Sequence, residues 1–220
     1  VSWYAVLKTN PELSYPSDVY LEGSDQHRGW FQTSIITAVA LTGRAPYNTV
    51  YTNGWVLDDQ GRAMHKSLGN VVSPQQIIAK WGADILRLWA ASASSTDDVR
   101  VSERLMELHG ETYKKLRNTL RYMLGNLHGF NPHKDAVADV QGMEPLEKWA
   151  LANLAQAAET CRKHYENYDF PAVLRTVVNF AIHDLSNFYF DISKDRIYTA
   201  KADDPKRRAT QTVLFVNLHY

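Results

Sequence analysis

Two polar segments of this sequence combine residue types that handle phosphates, sugars and ammonium groups. The first is Leu21-Glu22-Gly23-Ser24-Asp25-Gln26-His27-Arg28-Gly29-Trp30-Phe31, at the junction of a β-like and a helical pattern. Ligands of open α/β sheets sit where strands end, and a glycine there lets the backbone approach them closely. Glu22, Asp25 and Gln26 add two carboxylates and an amide, suited to an ammonium, to ribose hydroxyls and to carbonyl groups. An ordinary polar turn ahead of an amphipathic helix has the same spacing, so spacing alone leaves both readings open. His27 lacks a second ligand at metal-binding spacing and reads as a solvated or hydrogen-bonded histidine. The second segment is Leu57-Asp58-Asp59-Gln60-Gly61-Arg62-Ala63-Met64-His65-Lys66-Ser67-Leu68-Gly69-Asn70. A lysine in such a mobile, glycine-flanked loop can fold over a triphosphate and neutralise charge developing on a leaving pyrophosphate. The segment lacks the Gly-x-x-x-x-Gly-Lys spacing of a Walker loop, and Lys66 read alone also fits a solvated surface lysine.

The elements that position these segments follow from periodicity. Residues 17–21 alternate like a strand end, and residues 49–57 are β-rich around Asn53-Gly54. Between them, Trp30, Phe31, Ser34, Ile35, Ala38 and Leu41 recur at helical spacing, which predicts a helix over 29–41. Ser73 and Pro74 supply an N-cap and a first helical position for a helix ending at Gly82, and a second helix follows over 83–93. Small and acidic residues over 92–98 read as a connection. Helices dominate afterwards. Apolar residues at 105, 108, 112 or 113, 116, 120, 123 and 127 predict one long helix with a buried face. A loop over 126–142, helices over 145–168 and 171–198, a break at 203–206 and a last helix complete the chain.

The bulk properties exclude several classes. The 220 residues contain 24 basic and 24 acidic side chains, so overall charge gives no argument for nucleic acid and only local clusters can. Apolar runs fall well short of the roughly 20 residues of a membrane span, so no membrane association is expected. Residues 1–10 have no signal-peptide pattern. The single cysteine, Cys161, permits no internal disulfide or cysteine-based zinc cluster and fits a reducing, cytoplasmic setting.

The order of several blocks carries a resemblance. Residues 61–72, with Met64, Lys66, Ser67, Leu68, Gly69 and Asn70 in order, resemble the "KMSKS" signature and its Ser-Leu-Gly-Asn extension in class I aminoacyl-tRNA synthetases. Residues 20–31 resemble the block that precedes it in the isoleucine branch of that family. Trp81-Gly82-Ala83-Asp84-Ile85-Leu86-Arg87-Leu88-Trp89, Arg117-Asn118-Thr119-Leu120-Arg121, Tyr168-Asp169-Phe170 and Asp184-Leu185-Ser186-Asn187-Phe188-Tyr189 are also similar to it.

The resemblance implies an α/β portion followed by an all-α portion: the C-terminal half of a Rossmann-type nucleotide-binding domain over 1–95, a stem-contact helical segment over 96–142, and the start of an anticodon-binding helical domain over 143–220. It implies ATP-dependent activation of L-isoleucine to isoleucyl-adenylate and transfer to tRNA(Ile), with Mg2+ accompanying ATP and no metal site in this chain. Glu22, Gly23, Asp25 and Gln26 would contact the adenylate, and Trp30 would line the isoleucine pocket. Ala63, Met64, His65, Lys66 and Ser67 would form the ATP-binding loop, Lys66 stabilising the transition state with help from His65. Ala63 and His65 stand where the signature has its first Lys and its Ser, which places more weight on Lys66. Lys114, Lys115, Arg117 and Arg121 are candidates for tRNA phosphates, although Glu103, Glu107 and Glu111 would also balance them as a solvated face. The "HIGH" signature of the family is missing from the sequence, so the expectation is an internal, catalytically inactive piece of a longer enzyme. A non-catalytic tRNA- or protein-binding module and a valine or leucine enzyme are the alternatives.

Overall fold

A computed structural model describes residues 2–94 and 96–220, in two compact units: Val1–Val72 with Ser94–Val101, and Ser73–Ala93 with Ser102–Tyr220. The boundary expected at residue 95 falls outside the described residues. Segment 73–93, grouped with the α/β half by its sequence pattern, clusters with the helices instead.

The first unit contains α1 (Ser2–Thr9), β1 (Ser17–Gly23), a 3-10 turn (Ser24–Arg28), α2 (Trp30–Thr42), β2 (Tyr47–Asn53), β3 (Val56–Leu57) and β4 (Val99–Arg100). β1 and β2 are parallel, in register from Ser17 opposite Tyr47 to Gly23 opposite Asn53, so the helix between them is the crossover that parallel strands require. α2 forms where its spacing predicts, but its inward face is narrower. Phe31 and Ala38 are buried, whereas Trp30 and Leu41 remain 44% and 40% exposed. The β-rich run 49–57 splits into two strands of different sheets, β3 pairing with β4. Gly54 is the reason: a Cβ there would lie 2.1 Å from the Asp97 carbonyl oxygen, so only glycine lets the chain cross that backbone. Asp98 Oδ1 then accepts the Trp55 N–H at 2.8 Å and fixes the crossing.

The second unit is helical: α3 (Pro74–Trp81), α4 (Ala83–Ser92), α5 (Glu103–Asn126), α6 (Pro132–Asp135), α7 (Pro145–Glu166), α8 (Phe170–Asn179), α9 (Phe190–Thr199) and α10 (Pro205–His219). Ser73 and Gln76 close a reciprocal capping box around Pro74, which satisfies amides that the first turn leaves orphaned. α4 packs on α5 closely enough that a Cβ at Gly110 would meet the Ile85 side chain at 3.4 Å. α5 buries Met106, Gly110, Thr119 and Met123, so the expected stripe is rotated: Leu108 and Leu120 are 56% and 47% exposed. The helix expected over 171–198 runs from α8 to α9 through a π-helical stretch, Phe180–Tyr189. Buried Ala181, Leu185 and Tyr189 lie four apart along it, and Ser186 meets Thr119 of α5 at 2.8 Å.

The core of this unit joins Met123, Ala150, Leu185, Tyr189, Phe190, Ile197, Val213 and Leu214. One ion is buried beside it. Glu147 of α7 is fully buried and accepts from Arg196 of α9 at 2.5 Å and from Thr210 of α10 at 3.2 Å. Arg196 also bonds Glu144 at 2.7 Å, and Glu144 pairs with Lys206 at 2.8 Å, so α7, α9 and α10 are tied by charge as well as by packing. Among the described residues no helix is long and apolar enough to cross a membrane.

Candidate functional site

The first chemistry-bearing segment leaves from the carboxyl end of β1, paired with β2, where an α/β sheet presents its ligands, and the second follows β3 of the other two-stranded sheet. Glu22 and Gly23 close β1, opposite Thr52 and Asn53. The 3-10 turn that follows is braced from within. Gln26 Oε1 accepts the Trp30 N–H at 3.0 Å and so caps α2, while its Nε2 donates to Asp25 Oδ2 at 3.2 Å. Cβ atoms at Gly23 and Gly29 would come within 2.8 Å of Asp25 Oδ1 and Gln26 Oε1 respectively. The two glycines therefore make room for the side chains that shape the turn. Glu22 and Asp25 are exposed, whereas Gln26 is half-buried and committed to the cap.

Trp30 leaves the turn with its indole stacked on Tyr20, centroids 4.3 Å apart and planes 9° from parallel. Tyr47 also packs against Tyr20, with ring centroids 4.8 Å apart. Desolvation by burial pushes the Tyr20 phenol above its ordinary pKa despite a hydrogen bond to Ser34. The exposed part of Trp30 is thus a rigid, flat apolar surface beside polar groups. His27 packs edge-on against Phe31 at 5.3 Å, and no group of three or more His, Cys, Asp or Glu able to hold a metal occurs among the described residues.

The second segment is built on Asp58, 6% exposed at the end of β3. Its Oδ1 accepts the N–H groups of Gln60 at 3.0 Å and Arg62 at 2.8 Å, an Asx-type turn. Its Oδ2 accepts from Arg62 Nε at 2.9 Å and Asn70 Nδ2 at 2.8 Å. The Asn70 amide, then the Arg62 amide and guanidinium, outweigh desolvation and hold the Asp58 carboxyl well below the usual carboxylate range. Asn70 Nδ2 also donates to the Ala63 carbonyl at 3.1 Å, and its Oδ1 accepts the His65 N–H at 2.9 Å. Met64 turns back, its Sδ facing the Val72 N–H at 3.4 Å. Lys66 opens a short 3-10 turn, Lys66–Leu68, which Gly69 ends in the left-handed region at φ 63°. Ala63, His65, Lys66 and Ser67 are all exposed.

The structure therefore sorts the residues singled out from the sequence. Lys66 and His65 stand on an exposed turn, Ala63 contributes a backbone carbonyl, and Met64 is an internal strut of the loop. Asp58 and Asn70, to which sequence reasoning gave no separate role, are what holds that loop. The available signal was an Asp two residues before Gln60 and followed by Gly61, the spacing of an Asx turn. On α5, Lys114, Lys115, Arg117 and Arg121 are exposed, and Lys114 is engaged with Glu111 at 2.6 Å.

Comparison with known proteins gives the family. Residues 2–102 match the family described as tRNA synthetases class I (I, L, M and V), and residues 147–219 match the anticodon-binding domain of tRNA ligase. The isoleucine--tRNA ligase of Brevibacillus brevis is 51% identical over 214 residues, 97% of this chain and 23% of that protein. That of Caldicellulosiruptor saccharolyticus is 49% identical over 210 residues, 96% and 23% of the two chains. The chain thus spans 23% of the length of the curated relatives it matches. Among solved structures, a ternary complex of Agrobacterium radiobacter K84 agnB2 LeuRS with tRNA and LeuAMS superposes with a TM-score of 0.71 at 18% identity, covering 99% of this chain and 28% of that one. Mycobacterium tuberculosis methionyl-tRNA synthetase bound by methionyl-adenylate gives 0.65 at 18% identity, covering 92% and 39%. At that identity these two speak for the fold. With two family domains in chain order and half of its residues shared with isoleucine--tRNA ligases, the chain belongs to the class I aminoacyl-tRNA synthetases of the isoleucine type.

Proposed function

We propose that the chain is the part of an isoleucine--tRNA ligase that holds the adenylate side of the active site and begins the tRNA-binding helices. The ligase joins L-isoleucine to ATP, releasing pyrophosphate, and passes the acyl group to the ribose of tRNA(Ile). In-line attack of the amino acid carboxylate on the α-phosphorus needs positioning and charge stabilisation rather than a protein nucleophile. The observation that supports this reading is Lys66, an exposed cation on a turn whose base is tied down by Asp58 and Asn70. It would face the charge that develops on the leaving pyrophosphate. At the other segment, the Gly23 backbone and Asp25 suit the adenylate ribose, and Glu22 suits the substrate ammonium. Gln26 acts by holding the turn and by offering the outer edge of its amide. Magnesium would arrive with the ATP phosphates, and no step here is assigned to it.

Trp30, braced by Tyr20, forms the wall against the isoleucine side chain in this reading. Burying a branched aliphatic group against it is worth about 1.5–3 kcal/mol, which corresponds to roughly a tenfold to hundredfold effect. In the full-length ligase, Trp30→Ala is therefore expected to raise KM for isoleucine by about that factor in pyrophosphate exchange, with KM for ATP nearly unchanged. An equal loss for both substrates would mean that the 3-10 turn has collapsed and that Trp30 is not a specificity wall.

Lys115, Arg117 and Arg121 suit tRNA phosphates, with Lys114 less available because of Glu111. Replacing Arg117 and Arg121 together by Ala should weaken tRNA binding and lower the salt dependence by about 0.7–0.9 in log–log slope per lost phosphate contact. Isoleucine-dependent pyrophosphate exchange should be unaffected. Binding titrations at several salt concentrations give the slope, and an unchanged slope would leave these arginines as a solvated face.

A further inference from the structure

We infer that Asp58 and Asn70 are positioning residues for adenylate formation, acting through Lys66; this rests on the role proposed for Lys66 above. Little else fixes the loop. Residues 65–69 are exposed, so packing does not set where the Lys66 ammonium points. What sets it is a relay of hydrogen bonds. Asp58 is nearly buried and has both carboxylate oxygens occupied, so it is a rigid anchor rather than a mobile surface charge. Asn70 lies on it at 2.8 Å and spends its remaining capacity on the Ala63 carbonyl at 3.1 Å and the His65 N–H at 2.9 Å. Those two groups flank Met64, and His65 is the residue directly before Lys66. The backbone entering the lysine is thereby referenced to the end of β3.

The chemistry of the relay separates position from stability. Ala63 and His65 are exposed, so water can replace both of their bonds when Asn70 is removed, and Asp58 Oδ2, which loses the Asn70 bond, keeps the Arg62 guanidinium at 2.9 Å. Folding is then little affected. The orientation of Lys66 is not replaceable in this way, since a misplacement of about 1 Å at a reacting group can cost about a hundredfold in rate. Removing the relay should therefore lower kcat, leave KM for isoleucine alone and leave the melting temperature alone. A merely structural residue would do the reverse.

The test is a double-mutant cycle in the full-length ligase, using isoleucine-dependent ATP–pyrophosphate exchange with Lys66→Ala, Asn70→Ala and the pair. Asn70→Ala alone is expected to lower kcat at least about tenfold at constant KM for isoleucine. In the Lys66→Ala background the same substitution should change kcat less than about twofold, because the group it positions is gone. Asn70→Ser, whose hydroxyl is too short to span the three partners, should behave alike and serves if Asn70→Ala misfolds. If Lys66→Ala is slow but Asn70→Ala is harmless in the otherwise wild-type enzyme, or its effect multiplies fully with that of Lys66→Ala, the relay is overturned and the role of Lys66 stands. A Lys66→Ala enzyme at wild-type rate overturns that role and the relay with it.

Discussion

Lys66→Ala in the full-length ligase is expected to slow isoleucyl-adenylate formation about a hundredfold or more, the scale of losing one preorganised electrostatic donor. Ground-state binding of isoleucine should barely move, because Lys66 stands on the loop proposed to face ATP and not in the Glu22–Trp30 segment. The size of the effect follows from the two departures in the loop. A family signature with two lysines can share the charge on pyrophosphate, whereas here residue 63 is Ala and residue 65 is His. Ala63 is bridged to Leu57 through its backbone and its side chain is exposed, so a longer side chain meets no packed neighbour. Ala63→Lys should accordingly fold normally and speed activation without tightening isoleucine binding, since added charge helps only where charge develops. Pre-steady-state measurement of adenylate formation checks both variants. A Lys66→Ala rate within a factor of about three of wild type would remove Lys66 from the chemistry, and a slower Ala63→Lys enzyme would show that the loop is matched to Ala63.

The largest stability effect is expected at Arg196. Glu147 is fully buried, and Arg196 is the cation that answers it, at 2.5 Å. Arg196→Ala leaves the carboxylate with Thr210 as its remaining described partner and opens the contact to Glu144 as well. Breaking a buried pair from one side typically costs about 3–5 kcal/mol, against a desolvated charge that packing cannot accommodate. For a chain of this size that corresponds to a fall in melting temperature of roughly 6–20 °C. Removing both charges tests the cause. Glu147→Leu combined with Arg196→Met deletes the ion along with its partner and should recover most of the loss. Thermal melts of the three proteins decide the matter, and a double variant no better than Arg196→Ala would mean that the helix contacts, not the stranded charge, set the cost.

What could be read from the sequence divides by the range of the forces involved. The helix start at Ser73 was legible because a cap, a proline and Gln76 act within one turn. The two chemical segments were legible because their residue types and order are local. Leu108 and Leu120 were misassigned to the buried face of α5 because periodicity gives a helix but not its rotation, and Met106, Gly110 and Thr119 turn the inward face toward α4 and the π-helical stretch. The π winding itself has no local cue, since Ser186 reaches Thr119 across 67 residues of chain. Residues 49–57 read as one β-rich run in sequence, yet Gly54 breaks it because the backbone of Asp97, far along the chain, crosses there. The same distance hid the candidate site's support. Asp58 and Asn70 are each ordinary polar residues, and their importance lies in a 2.8 Å contact between positions 12 apart.

The most direct test of the proposed function is ATP–pyrophosphate exchange by the full-length ligase with isoleucine, valine and leucine supplied separately at equal concentration. Isoleucine should drive exchange at the lowest concentration, valine should follow weakly because it lacks one methylene of wall contact at Trp30, and leucine should stay near background. Exchange driven better by valine or leucine, or proceeding at full rate with no amino acid added, would contradict the assignment of this chain to isoleucine activation.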